Sequence, residues 1–168
     1  MINSKTQIVV TIGPASANSE IIYQMIMHDA TLFRLNFGWG NLEEHANHVN
    51  LIREAENRAN RKVKIIFDLP GPRIQKKKGH TYDKNEVVLL TENDRLYIQF
   101  GVQNKIDYFA LSFVGNKTDV INCREVIKQY GGTQAIIAKI EREKALDHLE
   151  EIIEASGAIM IARGDLGE

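Results

Sequence analysis

A lysine and a glutamate two residues apart, Lys139 and Glu141 in AKIE, and an aspartate behind an apolar run, Asp165 in IARGDLG, are the chemically richest set in this sequence. Residues two apart in an extended strand point to the same face, so Lys139 and Glu141 can serve one site. Glu141 with Asp165 from a neighbouring strand would make a hard oxygen site for Mg²⁺ or Mn²⁺, which take one or two carboxylates plus substrate oxygens. A metal and a lysine together suit an enolate or a transferring phosphoryl group, because each places negative charge where cations stabilise it. Taken alone, the Lys139–Glu141 pair reads equally well as a salt bridge at a strand end. Arg34 and Asn36 repeat the two-residue spacing, however, and Asp68 closes another apolar run. Gly164, just before Asp165, reads as a turn glycine or as a point where a ligand approaches the backbone.

These residues need strands to carry them, and six apolar runs qualify: QIVVTIG, ATLFRLNF, KVKIIFDL, DYFALSFV, QAIIAKIE and AIMIARGDL. Their near-continuous apolar character, rich in Val and Ile, suits parallel strands covered on both faces. Between them lie helical patterns. The clearest places Leu42, Ala46, Val49, Ile52, Ala55 and Ala59 on one stripe behind Asn41 and Glu44, a capping-box pair. Ser19 is expected to cap a first helix, with Ile22, Met25 and Ile26 inward. Thr91 caps a helix over Glu92 to Phe100. Val120, Cys123, Ile127 and Tyr130 mark another, and Leu146, Leu149 and Ile153 the last. The alternation breaks once, at the polar stretch 75–86 (QKKKGHTYDKNE), which reads as a connector whose lysines are a solvated charge run. Arg34 and Asn36, Asp68, Ser112, Lys139 and Glu141, and Arg163 and Asp165 all fall at carboxyl ends of expected strands. Polar residues recurring at that one end of five strands fit a barrel rim better than a single crevice in an open sheet. The expected fold class is α/β, a TIM-barrel-like (β/α)₈ architecture that is incomplete, with about six β/α units.

Composition sets the outer limits. A chain of 168 residues, 43% hydrophobic and 26% charged, suits one globular domain. A formal net charge of −1 gives no general attraction to nucleic acid or to an acidic membrane surface. No apolar run approaches the roughly 18 residues that would span a bilayer. The single Cys123 and the absence of a signal-peptide layout at the start point to a reducing, cytoplasmic setting. His45 and His48, three apart on the second helix, lack a third ligand and read as solvated or partly packed helix surface. Trp39, between two glycines in NFGWGN, reads as a loop aromatic packed over the rim.

Six segments in order, TIGPAS (Thr11 to Ser16), RLNF (Arg34 to Phe37), LTENDR (Leu90 to Arg95), FALSFV (Phe109 to Val114), AKIE (Ala138 to Glu141) and ARGDLG (Ala162 to Gly167), resemble pyruvate kinase. The resemblance runs along almost the whole chain and implies that residues 1–168 are a partial barrel domain of the pyruvate kinase type. It implies phosphoenolpyruvate and pyruvate as substrates, with ADP and ATP as the nucleotide pair. Lys139 is similar to the lysine that stabilises the enolate-like transition state, and Arg34 to the arginine on the transferring phosphoryl group. Glu141 and Asp165 match the Mg²⁺ (or Mn²⁺) ligands, and Gly164 the backbone position that faces the substrate carboxylate. Asn36, Asp68 and the backbone of Leu69 match the K⁺ site.

The departures fall on the nucleotide and potassium side. NFSHG of the family is NFGWG here, so Gly38 stands for a K⁺-ligating serine and Trp39 for a nucleotide-contacting histidine. DTKGPEIR is DLPGPRIQ, which exchanges an acidic residue for Arg73 and a basic one for Gln75. The arginine after the SF pair is Gly115. The inserted lid domain is replaced by the connector 75–86, and the last two barrel strands and the C-terminal domain have no counterpart. Six strands do not close an eight-stranded barrel, so the end strands should expose pairing edges. Three accounts follow: a piece of a longer protein, a homo-oligomer in which copies cover one another's edges, or a degenerate non-catalytic module that binds phosphoenolpyruvate. Metal-assisted enolate chemistry on a small 2-oxo acid is the alternative enzymatic expectation, since it needs only Lys139, Glu141 and Asp165.

Overall fold

A computed structural model describes residues 6–75, 80–82, 89–164 and 166. Its strands are β1 (Ile8–Ile12), β2 (Ala30–Asn36), β3 (Lys64–Leu69), β4 (Arg73–Gln75), β5 (His80–Tyr82), β6 (Tyr108–Leu111), β7 (Ala135–Ile140) and β8 (Ala158–Ile161). The helices are α1 (Ser19–Met27), α2 (Leu42–Ala59), α3 (Glu92–Gln103), α4 (Lys117–Gln129), α5 (Lys144–Asp147) and α6 (Leu149–Ala155). Six strands pair in parallel in the order β1-β2-β3-β6-β7-β8, a curled sheet that forms an incomplete (β/α)₈ barrel. All six are the apolar runs of the sequence.

The two-residue period of a strand separates the two faces. Phe33, Leu35, Ile65, Phe67, Phe109, Leu111, Ile136 and Ile140 are buried with the apolar faces of the helices in the main core. Their alternates Ile66, Ala110 and Ile137 form a second cluster with Leu32, Tyr108 and Met160 on the opposite face, the barrel interior. Continuing the same alternation toward the carboxyl ends puts Arg34, Asn36, Asp68, Ser112, Lys139 and Glu141 on that interior face. The register makes them neighbours, because Asn36 pairs with Asp68 and Asp68 with Ala110.

Caps fix where the helices begin. Asn41 and Glu44 form the expected capping box on α2, and Thr91 with Asp94 and Asn116 with Asp119 form two more. The first helix begins one residue earlier than expected: Asn18 is the cap, accepting from the Glu20 and Ile21 amides, and Ser19 is already helical. The last expected helix is broken at His148 into α5 and α6, which turns Ala145 and Ile152 inward and leaves Leu146 and Ile153 exposed. An antiparallel pair, β4 with β5, spans part of the expected connector. Lys76, Lys77 and Lys78 lie outside the described residues. At the two ends of the sheet, β1 exposes Ile8 and Val9 and β8 exposes Ile161. No helix among the described residues is long and apolar enough to cross a membrane.

Candidate functional site

Lys139 is the centre of the interior cluster. Its ammonium lies 3.0 Å from Asp68 Oδ1, 2.8 Å from Glu141 Oε1 and 2.8 Å from Ser112 Oγ, so all three donors are engaged. Arg34 reaches Asp68 from the other side, with Nε at 2.7 Å and Nη2 at 2.6 Å from Oδ2, and donates from Nη1 to Thr11 Oγ1 at 3.0 Å. Asp68, Lys139 and Glu141 are buried, whereas the Arg34 side chain is 23% exposed, which leaves that cation open to a ligand. Ser112 donates to the Leu69 carbonyl at 2.6 Å and so joins the ends of β3 and β6.

The second oxygen of Glu141 is held by the backbone. The turn after β6 gives Phe113 a left-handed φ of 58°, and its amide donates to Glu141 Oε2 at 2.7 Å. A non-glycine residue in that region costs about 1–3 kcal/mol, so the surrounding contacts must hold it there. One of them is Gly71, at φ 63°, whose amide donates to the buried Asp94 at 3.2 Å; a Cβ on Gly71 would sit 3.2 Å from the Phe113 ring. Asp94 therefore serves two loops, capping α3 through Thr91 and tying down the chain that follows Asp68 and Leu69.

Charge follows from this packing. Burial opposes the Lys139 ammonium, but the Asp68 and Glu141 carboxylates outweigh it and hold its pKa above the ordinary lysine value. Burial raises Glu141 above the usual carboxylate range, against the opposing pull of Lys139 and the Phe113 amide. Burial likewise raises Asp94, against its bonds to Thr91 and Gly71. Lys139 thus stays charged at neutral pH.

A cavity of about 90 Å³ opens on the cluster, lined by Arg34, Asn36, Asp68, Lys139 and Glu141 together with Arg73. Arg73 was not expected there as a site residue. Its guanidinium donates to the Gly38 carbonyl at 2.5 Å and stands 5.8 Å from the centre of the exposed Trp39 ring. A Cβ at position 38 would collide with that guanidinium, so the missing side chain at Gly38 and the arginine at 73 share one space. Asn36 Oδ1 accepts the Gly38 amide at 3.0 Å. His45 is packed further than the solvated or partly packed helix surface expected for it: it is buried, stacked on Phe37 with centroids 3.9 Å apart, and its Nε2 meets the Trp39 carbonyl at 2.9 Å. Burial lowers the pKa of both His45 and His48.

Of the expected site residues, the structure brings together Arg34, Asn36, Asp68, Leu69, Lys139 and Glu141. Gly164 lies beyond β8 with open space where a Cβ would stand. Asp165 lies outside the described residues. Ser112, the Phe113 amide and Asp94 are the supporting groups to which sequence reading gave no role. Ser112 had a signal, its place at a strand end. Asp94 had one as well, at the third helical position behind Thr91.

Comparison with known proteins agrees with this arrangement. The family model described as pyruvate kinase, barrel domain, matches residues 3–89 and 74–168. The pyruvate kinase of Thermoplasma acidophilum is 29% identical over 233 aligned positions, which take in 97% of this chain and 42% of that protein. That of Staphylococcus aureus MRSA252 is 27% identical, with 97% and 42% covered, and that of Thermococcus litoralis is 29% identical, with 97% and 51% covered. The chain therefore spans about half or less of the length of these relatives. With the barrel-domain model matching residues 3–89 and 74–168 and the interior lysine, arginine and carboxylates gathered at one rim, the chain belongs to the pyruvate kinase family.

Proposed function

We propose that this chain supplies the substrate side of a pyruvate kinase-like reaction, phosphoryl transfer between phosphoenolpyruvate and ADP giving pyruvate and ATP. In the forward direction the bond from phosphorus to the enol oxygen breaks, a bond to the terminal phosphate oxygen of ADP forms, and the enolate is then protonated to pyruvate. The observation that carries the reading is the Lys139 ammonium, fixed at 2.8–3.0 Å by Asp68, Glu141 and Ser112 beside a cavity lined by Arg34. A preorganised cation of this kind stabilises charge that develops on the enolate oxygen without reorganising during the reaction. Arg34, anchored by Asp68 and partly open, is placed to orient the phosphoryl group. Glu141 fits a divalent ion as a buried carboxylate at the cavity, with Asp165 as the second ligand, since Mg²⁺ takes one or two carboxylates and keeps its other positions for water and substrate. Mg²⁺ or Mn²⁺ bound there would supply charge neutralisation for the phosphoryl and enolate oxygens.

Potassium fits less well. Position 38 offers no side-chain oxygen to join Asn36 Oδ1, the Leu69 carbonyl and Asp68. The Arg73 guanidinium stands beside these groups, and no step is assigned to a monovalent ion.

The relatives align over 233–245 positions where this chain has 168 residues. That difference supports reading the segment 75–86 as a short connector in place of an inserted lid domain. The loss of the nucleotide-contacting residues at Trp39 and Gly115 favours a second reading, metal-assisted enolate chemistry on a small 2-oxo acid without a nucleotide. One set of assays separates the two in a reducing, cytoplasm-like buffer. Pyruvate released from phosphoenolpyruvate with ADP and Mg²⁺, and lost in Lys139→Met, supports the kinase; ADP-independent turnover of oxaloacetate supports the second reading. Binding of phosphoenolpyruvate with neither activity would reduce the chain to a binding module and sink both. The exposed edges of β1 and β8 invite a second copy, and light scattering of the purified chain measures whether one is recruited.

A further inference from the structure

We propose that Arg142 is a positioning residue: it fills the space left open by Gly115 and clamps the turn after β6, so that the Phe113 amide stays on Glu141. Gly115 does not have the left-handed backbone that would require glycine. What a side chain there would meet is Arg142. A Cβ would lie 2.7 Å from its Nη2 and 3.2 Å from its Cζ. The position that in the resembling family carries an arginine has therefore become empty here, and the guanidinium enters the same space from the turn after β7, one residue past Glu141.

The contacts run in series from that guanidinium to the carboxylate. Arg142 Nη2 lies 3.8 Å from Asp119 Oδ2, and both side chains are only 15% exposed, where screening by solvent is weak. The same oxygen of Asp119 accepts the Gly115 amide at 2.7 Å and the Asn116 amide at 3.2 Å. These bonds pin the chain two residues beyond Phe113, whose left-handed conformation aims its amide at Glu141 Oε2. Asn116 and Asp119 cap α4; the arginine joins that cap to the end of β7 and sets the distance between the two strand ends. Groups that hold a metal ligand in place from behind are typically worth about 10–100-fold in metal affinity. The inference rests on the reading of Glu141 as a metal ligand, and the experiment keeps the two apart.

The test uses the full chain and two readouts: hydrogen exchange of the Phe113 amide by NMR, and binding of Mn²⁺ alone by electron paramagnetic resonance. Arg142→Ala should lower Phe113 protection about tenfold and weaken Mn²⁺ binding at least tenfold. The double variant Gly115→Arg/Arg142→Ala, which returns a guanidinium to the same space from the other side, should recover most of both. Should Arg142→Ala fail to fold, Arg142→Lys and the double variant carry the same comparison. Unchanged Phe113 protection in Arg142→Ala or Arg142→Lys, or a double variant no better than Arg142→Ala, overturns the proposal. Lost protection with unchanged Mn²⁺ affinity supports the clamp and removes Glu141 as the ligand.

Discussion

Removing the Lys139 ammonium tests the site through stability as well as through activity. In Lys139→Met the Asp68 and Glu141 carboxylates stay buried. Asp68 keeps Arg34 at 2.6 Å, and Glu141 keeps the Phe113 amide but loses its only cation among the described residues. Breaking a buried ion pair from one side costs about 3–5 kcal/mol. Because Arg34 still neutralises Asp68, the lower end, about 3 kcal/mol, is expected at neutral pH. At roughly 2–4 °C per kcal/mol for a chain of this size, the midpoint falls by about 6–12 °C. The sign with pH is specific. Burial already raises Glu141 above its ordinary value, and removing Lys139 raises it further. A carboxyl raised on folding contributes most below its unfolded pKa of about 4.3 and loses that contribution as the pH rises through the folded value. The deficit of Lys139→Met should therefore shrink by at least half between pH 7 and pH 4.5, read by urea denaturation of both proteins across that range. The wild-type Lys139 contribution runs the other way in alkali, present below about 10.4 and lost above its raised folded value. A deficit that is flat with pH, or below about 1 kcal/mol at pH 7, would mean that Glu141 is not left as a buried charge, and would refute the electrostatic account of the site.

Three further outcomes follow from named contacts. Phosphoenolpyruvate binding measured by calorimetry should change less than twofold when K⁺ is replaced by tetramethylammonium, because the Arg73 guanidinium already stands at Gly38; a tenfold dependence on K⁺ would show that the oxygens of Asn36 and Leu69 open to the ion. Gly101→Ala on α3 should destabilise by about 1–2 kcal/mol despite the better helix propensity of alanine, because its Cβ would fall 2.6 Å from Phe109 Cζ and 3.0 Å from Phe67 Cδ2; a more stable variant in urea would show that the ring layer gives way. Asp94→Ala should cost about 2–3 kcal/mol and raise hydrogen exchange at Gly71, since the Gly71 and Thr91 amides lose their acceptor together; exchange confined to α3 would contradict the tie between the two loops.

Lys139, Glu141, Arg34, Asn36 and Asp68 were legible in the sequence because their placement depends only on the two-residue alternation of a strand and on parallel pairing, both local rules. Asn41 with Glu44 was legible for the same reason, as a cap spanning three residues. The misreadings have causes both local and tertiary. Asn18 takes the cap from Ser19 because its extended backbone lets its side chain reach two amides at once. His45 is buried because Phe37 turns back across α2 and stacks on it. Leu146 and Ile153 lost their inward places when the helix broke at His148, for which neither glycine nor proline gives a warning.

The arginines at 73 and 142 were the least legible, and the reason is physical. Arg73 was visible in the sequence only as an exchanged charge and Arg142 drew no reading at all, because the space each fills belongs to a glycine on another segment. Gly38 and Arg73 are 35 residues apart, yet the guanidinium lies on the glycine carbonyl where a side chain would otherwise stand. Gly115 and Arg142 repeat the arrangement one pair of strands further round the sheet. In both cases an unoccupied Cβ position and a long cation form a single unit, and neither residue has a meaning alone: the glycine without the arginine is a cavity, and the arginine without the glycine is a clash. The departures that looked like scattered losses at Gly38, Arg73 and Gly115 are therefore two rearrangements, in each of which an arginine from another segment fills the space that a side chain at the glycine would take.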